Sequence, residues 1–221
     1  MRVLPLAGLT LWLLTTLVEA FVVFLFLIQG LFRKFLLLNI YLLFSVTISM
    51  GRFAVLYHFG FTSSEYAYFY YFTDALLTLF LFLSLCELSV RLVGTMTARR
   101  KAALWGAGAL LATSWFSFLV VSSRGTHVTT RFAVELSQNI FFVCCLAIVL
   151  LWVWKLHNYP EDRIAARFVS VLRVYLSLFV LIYGAHQLAP QVSSLINNLA
   201  PMMGAWLPLG CGFVLVSAEQ H

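Results

Sequence analysis

Tyr66–Arg91 reads YAYFYYFTDALLTLFLFLSLCELSVR, and the fold of the whole chain turns on how that stretch is read. It is long and apolar enough to cross a bilayer as one helix, which needs about 20 residues. Aromatic residues open it, Asp74 lies a short way below them, Glu87 sits near the other end, and Arg91 follows one turn later. Ionisable groups are expensive in lipid, so a span carrying three of them needs partners on neighbouring helices.

Composition places the rest of the chain in the same solvent. Over 221 residues, 62% are hydrophobic and 10% charged, with a mean hydropathy of +0.97; soluble domains are roughly 25% charged. The chain is therefore expected to be an integral membrane protein whose first partner is the lipid bilayer. Its net charge of +6 does not point to nucleic acid, because the basic residues cluster in short loops and form no stripe with interleaved aromatics. Cys86, Cys144, Cys145 and Cys211 all fall inside apolar runs without metal spacing, so they read as small buried residues.

Six further apolar runs accompany the first. Leu4–Gln29 begins after Arg2 as a signal peptide would, but it exceeds the roughly 7 to 15 residues of a cleavable apolar region, and Glu19 interrupts it. A retained helix is expected. Leu36–Tyr57 carries Arg52, which either snorkels to the interface or pairs. Ala102–Ser122 sets Ala103, Gly106, Ala107 and Leu110 on one side, a packing face and a candidate dimer face. Arg131–Lys155 brings Glu135, Gln138 and Asn139 to one face at i, i+3 and i+4. Phe168–Gln187 contains Arg173, and Asn197–Ser217 contains Pro201, Gly204, Pro208, Gly210 and Gly212, so this last span is expected to be kinked or partly unwound.

The expected fold is thus all-α: one polytopic domain over residues 1–221 with seven transmembrane helices. Loops one, three and five hold nine Lys and Arg, whereas the amino terminus and the even loops hold four. The positive-inside rule then puts the amino terminus outside and the carboxyl terminus in the cytoplasm. This topology sorts the polar residues by depth. Arg52, Asp74, Glu135, Gln138 and Asn139 fall in an outer layer, Glu87, Arg91 and Arg173 in an inner one, with Glu19 between. Arg52 is expected to pair with Asp74 or Glu135, and Arg173 with Glu87 or Glu19, since each pairing offsets the desolvation of a buried charge. Alternatively, Glu87 and Arg91 satisfy one another at i, i+4.

The rings from Tyr66 to Phe72 read chiefly as an interfacial belt. Residues 68, 71 and 72 share a face with Leu76, so some rings should still point inward. His58, His127 and His186 all fall on the outer side, a pattern open to metal binding or acid sensing, but no local spacing supports a metal, and none is expected. The chain carries no HExxH, GxSxG or P-loop, so neither an enzyme nor a cofactor is called for. Its lysines all lie at loops, which excludes a buried Schiff base of the retinal type.

With Tyr68–Tyr71 opening the third helix, the chain resembles uncharacterised seven-helix bacterial membrane proteins that carry an aromatic Tyr-Phe-Tyr segment at that position. The resemblance implies a bacterial inner membrane and carries no assigned activity. Three classes of function follow from the residues. The first is a small-ligand-binding or sensory module acting through a partner membrane protein; the second is a small-solute or proton-coupled transporter; the third is a structural subunit of a membrane complex or homo-oligomer. The residues singled out for a polar core or ligand site are Asp74, Glu135, Arg52, Gln138, Asn139, Glu19, Glu87 and Arg173.

Overall fold

The computed structural model describes residues 6–60, 62–92, 96–122, 128–157, 162–188 and 206–217. They form seven helices and no strand: α1 (Leu6–Ile28), α2 (Leu36–Phe59), α3 (Ser64–Leu92), α4 (Met96–Ser122), α5 (Val128–His157) and α6 (Arg163–Leu188), then α7 (Trp206–Ser217). Five of them, α2 to α6, are long and apolar enough to cross a membrane. The apolar stretches Trp12–Ile28 and Trp206–Ser217 are shorter, and residues 197–205 of the expected last span lie outside the described residues. The protein is an all-α multi-pass membrane protein.

Tight turns set the first two helix junctions. At the end of α1, Gly30 takes φ 65°, and the amides of Gly30 and Leu31 return to the carbonyls of Leu27 and Phe26 at 3.2 and 3.1 Å. That double return needs a left-handed residue, which glycine supplies without a Cβ penalty. Gly60 ends α2 with φ 82°, its amide returning to the Leu56 carbonyl at 3.0 Å. Ser63 then caps α3, its hydroxyl accepting the amide of Tyr66 at 3.1 Å, a helix start legible in sequence.

The helix formed by the Tyr66–Arg91 stretch is the hub: α3 packs against α2, α4, α5 and α6, while α1 leans on α2. Its buried stripe is Thr78, Leu81, Phe82, Leu85, Leu88 and Leu92, the i, i+3, i+4 spacing of one helix face. That stripe occupies the half of α3 nearest Arg91, and the densest core lies there too. Phe26, Phe35 and Phe168 stack or meet edge to face with centroids 4.9 to 6.5 Å apart. The opposite surfaces are apolar as well: Trp105, Leu111, Trp115, Phe142 and Leu150 are all exposed. In water such a surface would drive association; in lipid it is the expected exterior.

One expectation is narrowed and one corrected here: of the residues expected to kink the last span, Pro201 and Gly204 lie outside the described residues. Pro208 does not break α7, which is continuous over Trp206–Ser217: a proline in the first turn replaces an amide that has no intrahelical partner there. The helix then wedges between α1 and α6, because a Cβ at Gly210 would overlap Val171 and one at Gly212 would sit 3.3 Å from Val22. The inward rings at the mouth of α3 are also not those expected. Tyr68, Tyr71 and Phe72 are exposed, and it is Phe69 that points in, 2.8 Å from where a Cβ on Gly51 would lie.

Candidate functional site

At the Asp74 end of α3, polar side chains join α2, α3 and α5. Arg52 reaches from α2 to α3: its Nη2 lies 3.9 Å from Asp74 Oδ1, its Nε donates to Thr73 Oγ1 at 3.1 Å, and its Nη2 to the Tyr70 carbonyl at 3.3 Å. The guanidinium covers the Tyr70 ring at 4.3 Å, a cation–π contact that adds to the pair. From the other side Ser137 of α5 donates to Asp74 Oδ2 at 2.7 Å and meets Thr78 Oγ1 at 3.1 Å. Of the two acids offered to Arg52 by the sequence, it takes Asp74. Arg52 therefore pairs across helices and does not merely snorkel.

The polar triplet of α5 divides. Asn139 turns to α4, where its Nδ2 donates to Ser117 Oγ at 3.0 Å; Glu135 is half-buried and Gln138 exposed. The buried line of α5 runs through Ala133, Ser137, Ile140 and Cys144, and Gln138 lies a full 100° step beyond Ser137 on the helical wheel. Gln138 is thus not an inward residue. Ser137, which sequence reasoning passed over, is the one that binds Asp74. Its signal was present in its register with Ala133 and Ile140, but a serine carries too little polarity to stand out in an apolar run.

Glu19 lies buried between α1 and α2, accepting the Ser45 hydroxyl at 3.1 and 3.0 Å on its two oxygens. The expected pairing of Arg173 with Glu19 or Glu87 is overturned. Arg173 instead covers the ring of Trp152 on α5 at 4.5 Å, and among the described residues it pairs with neither acid.

Glu87 is occupied in an unforeseen way. Phe35, the residue before α2, offers no side-chain cap, and Glu87 fills that role from α3: its carboxylate accepts the amides of Leu36, Leu37 and Leu38 at 3.0, 2.9 and 3.4 Å. Those amides would otherwise have no partner, and the positive end of the helix dipole favours an anion there. Arg91 closes on the same carboxylate at 3.5 Å, so the local i, i+4 pair exists within a larger arrangement. Nearby, Lys34 pairs with Asp162 at 2.8 Å, and Asp162 caps α6 through the amides of Ile164 and Ala165 at 3.0 and 3.1 Å. Burial by itself raises the Asp162 pKa, but Lys34 and those two amides outweigh it and hold the carboxyl below its ordinary value.

These groups form the mouth of a cleft of about 950 Å³. Lys34, Glu87, Arg91, Arg99, Asp162 and Arg163 rim it; Leu37, Phe82, Leu83, Cys86, Val90 and Leu110 wall it, with Ala103, Gly106 and Ala107 along α4. The small-residue face of α4 therefore looks onto α3: a Cβ on Gly106 would lie 2.7 Å from Cys86 Sγ. Of the eight residues singled out from sequence for a polar core or ligand site, Glu87 alone lines this cleft. Among the described residues no three of His, Cys, Asp and Glu gather as a metal site; His127, and the side chain of His186, lie outside them. Comparisons with family models, curated proteins and solved structures found no match to this chain.

Proposed function

We propose that the protein is a small-ligand-binding module of a bacterial inner membrane, acting through a partner membrane protein, and that its ligand site is the cleft between α3 and α4. The observation that carries this reading is the cleft itself: about 950 Å³, walled by apolar side chains and rimmed at one end by six charged ones. A concave apolar site with a few convergent polar groups is the usual form of a ligand pocket. The proposed seven-span topology, with the amino terminus outside, sets this charged rim at the cytoplasmic face.

The transporter reading draws less support from the same geometry. Between Asp74 at one end of α3 and Glu87 at the other, the buried residues are Leu81, Phe82 and Leu85 with only Thr78 and Ser84 polar, and both of these hydroxyls donate to a carbonyl one turn back, so no charged side chain of α3 lies between the two acids.

Ala107 is exposed on the cleft side of α4, so Ala107→Phe fills the cleft without touching its charged rim. Native mass spectrometry of the full chain, extracted in mild detergent, tests the reading. A small molecule should remain bound to the wild type and be lost from Ala107→Phe. An adduct retained at full occupancy in the variant, or a wild type without one, overturns it.

A further inference from the structure

We propose that Glu19 is a proton-binding site inside the membrane, a neutral carboxylic acid held in a reciprocal pair with the Ser45 hydroxyl. The site is separate from the cleft, which no residue of α1 lines. Glu19 is only 7% exposed. Its partner Ser45 lies about 14 Å from the start of α2 and about 21 Å from its end, at the helical rise of 1.5 Å per residue. That is close to the middle of a hydrocarbon layer about 30 Å thick. An ionised group at such a depth needs a cation or several hydrogen-bond donors. Among the described residues no Lys or Arg pairs with Glu19. Of these two residue types only Arg2 and Arg124 lie outside them, each beyond the end of a helix in the sequence.

The hydrogen-bond geometry points the same way. Both carboxyl oxygens of Glu19 lie within bonding distance of one atom, Ser45 Oγ, at 3.1 and 3.0 Å. A hydroxyl has a single proton to donate. With Glu19 ionised, only one of the two contacts holds a hydrogen and the other sets two acceptors against each other. With Glu19 protonated, its O–H donates to Ser45 Oγ while the Ser45 O–H donates to the other carboxyl oxygen, so both contacts are hydrogen bonds. Ser84, Ser89 and Ser117 turn their hydroxyls onto carbonyls four residues back in their own helices; Ser45 turns its hydroxyl to α1. The titratable groups around the pair supply no positive charge. Tyr41 of α2 and Tyr175 of α6 are buried, hydrogen-bond to one another and lie within electrostatic reach of Glu19. Beyond them, Cys211 of α7 acts on Tyr41 and Asp74 of α3 on Tyr175. Each of these is neutral or negative at neutral pH, so none favours the ionised acid. His186, whose side chain lies outside the described residues, stands about 16 Å along α6 from Tyr175.

The test is infrared spectroscopy of the full chain in lipid vesicles at about pH 7, well above the ordinary glutamate value of about 4.3. The carbonyl stretch of a protonated carboxyl should be present in the wild type and absent from Glu19→Gln. It should give way reversibly to a carboxylate band as the pH is raised. Ser45→Ala should keep the band but move it to higher frequency, as the acid loses its partner. If Glu19→Gln removes only carboxylate bands at neutral pH, the acid is ionised and the proposal is overturned. A protonated band that persists at every pH where the fold survives overturns a titrating site, and one unmoved by Ser45→Ala overturns the reciprocal pair. Labelling the glutamate carboxyls with a heavy carbon isotope in the unsubstituted chain gives a second reading that depends on no variant folding. A protonated-carboxyl band displaced by the label is expected at neutral pH, and its absence overturns the site.

Discussion

Replacing Glu87 by alanine tests the least expected feature of the fold, a helix capped from fifty residues away. In the wild type, its carboxylate accepts three amides of α2 between 2.9 and 3.4 Å and an arginine contact at 3.5 Å, with only 11% of the side chain exposed. Loss of an ordinary N-cap costs about 1 kcal/mol. Here the cap is charged and sits at the dipole's positive end, where partly buried geometries reach about 2 kcal/mol, and removal also strands Arg91. The expected loss is about 3 kcal/mol from these contributions together. Arg91→Ala, by contrast, removes one long i, i+4 contact and a cation–π contact with Phe35 at 5.2 Å from a side chain that is 30% exposed, so about 1 kcal/mol is expected. Glu87→Gln keeps the shape and one acceptor but loses the charge, and should fall between the two. Reversible unfolding by sodium dodecyl sulfate in mixed micelles measures all three. If Arg91→Ala proves as destabilising as Glu87→Ala, the carboxylate acts mainly as an ion-pair partner and the capping argument is wrong.

Ser137→Ala removes the 2.7 Å bond to Asp74; because Asp74 is 44% exposed and interhelical hydrogen bonds in membranes average about 0.6 kcal/mol, a loss below about 1 kcal/mol is expected in the same unfolding assay. Gly210→Ala should destabilise by about 1 to 3 kcal/mol through overpacking, since its Cβ would overlap Val171, and Val171→Ala in the same chain should restore part of that loss; an additive double variant refutes the contact. Asp162 gives a pH dependence with a definite sign. Its folded pKa is lowered, so its stabilisation is complete above the unfolded value of about 3.9 and drains away as pH falls through the folded value. The melting temperature of Asp162→Asn should therefore approach that of the wild type below about pH 4 and fall short of it at neutral pH.

The sequence by itself determined the solvent and the hub. Composition and run length required an all-α membrane protein, since a bilayer interior leaves a chain of this kind no other way to satisfy its backbone. The charges within Tyr66–Arg91 marked α3 as the helix needing neighbours, and it is the one that packs against α2, α4, α5 and α6. Arg52 and Asp74 were legible as partners because their depths could be counted from the helix ends. Tertiary structure decided the rest. Hydropathy reports depth but not azimuth in helices that are apolar on every side, so Gln138 could not be told from Asn139, nor Phe69 from Phe72. It likewise ranks side chains by charge, which hid Ser137 and drew attention to an Arg173–Glu87 pair that does not form. Nor does a sequence show which acid will meet the uncapped amides of another helix. Glu87 takes that role because α3 passes the start of α2 at the depth of Glu87, and the cleft beside it exists only once α4 has closed on α3 through Gly106.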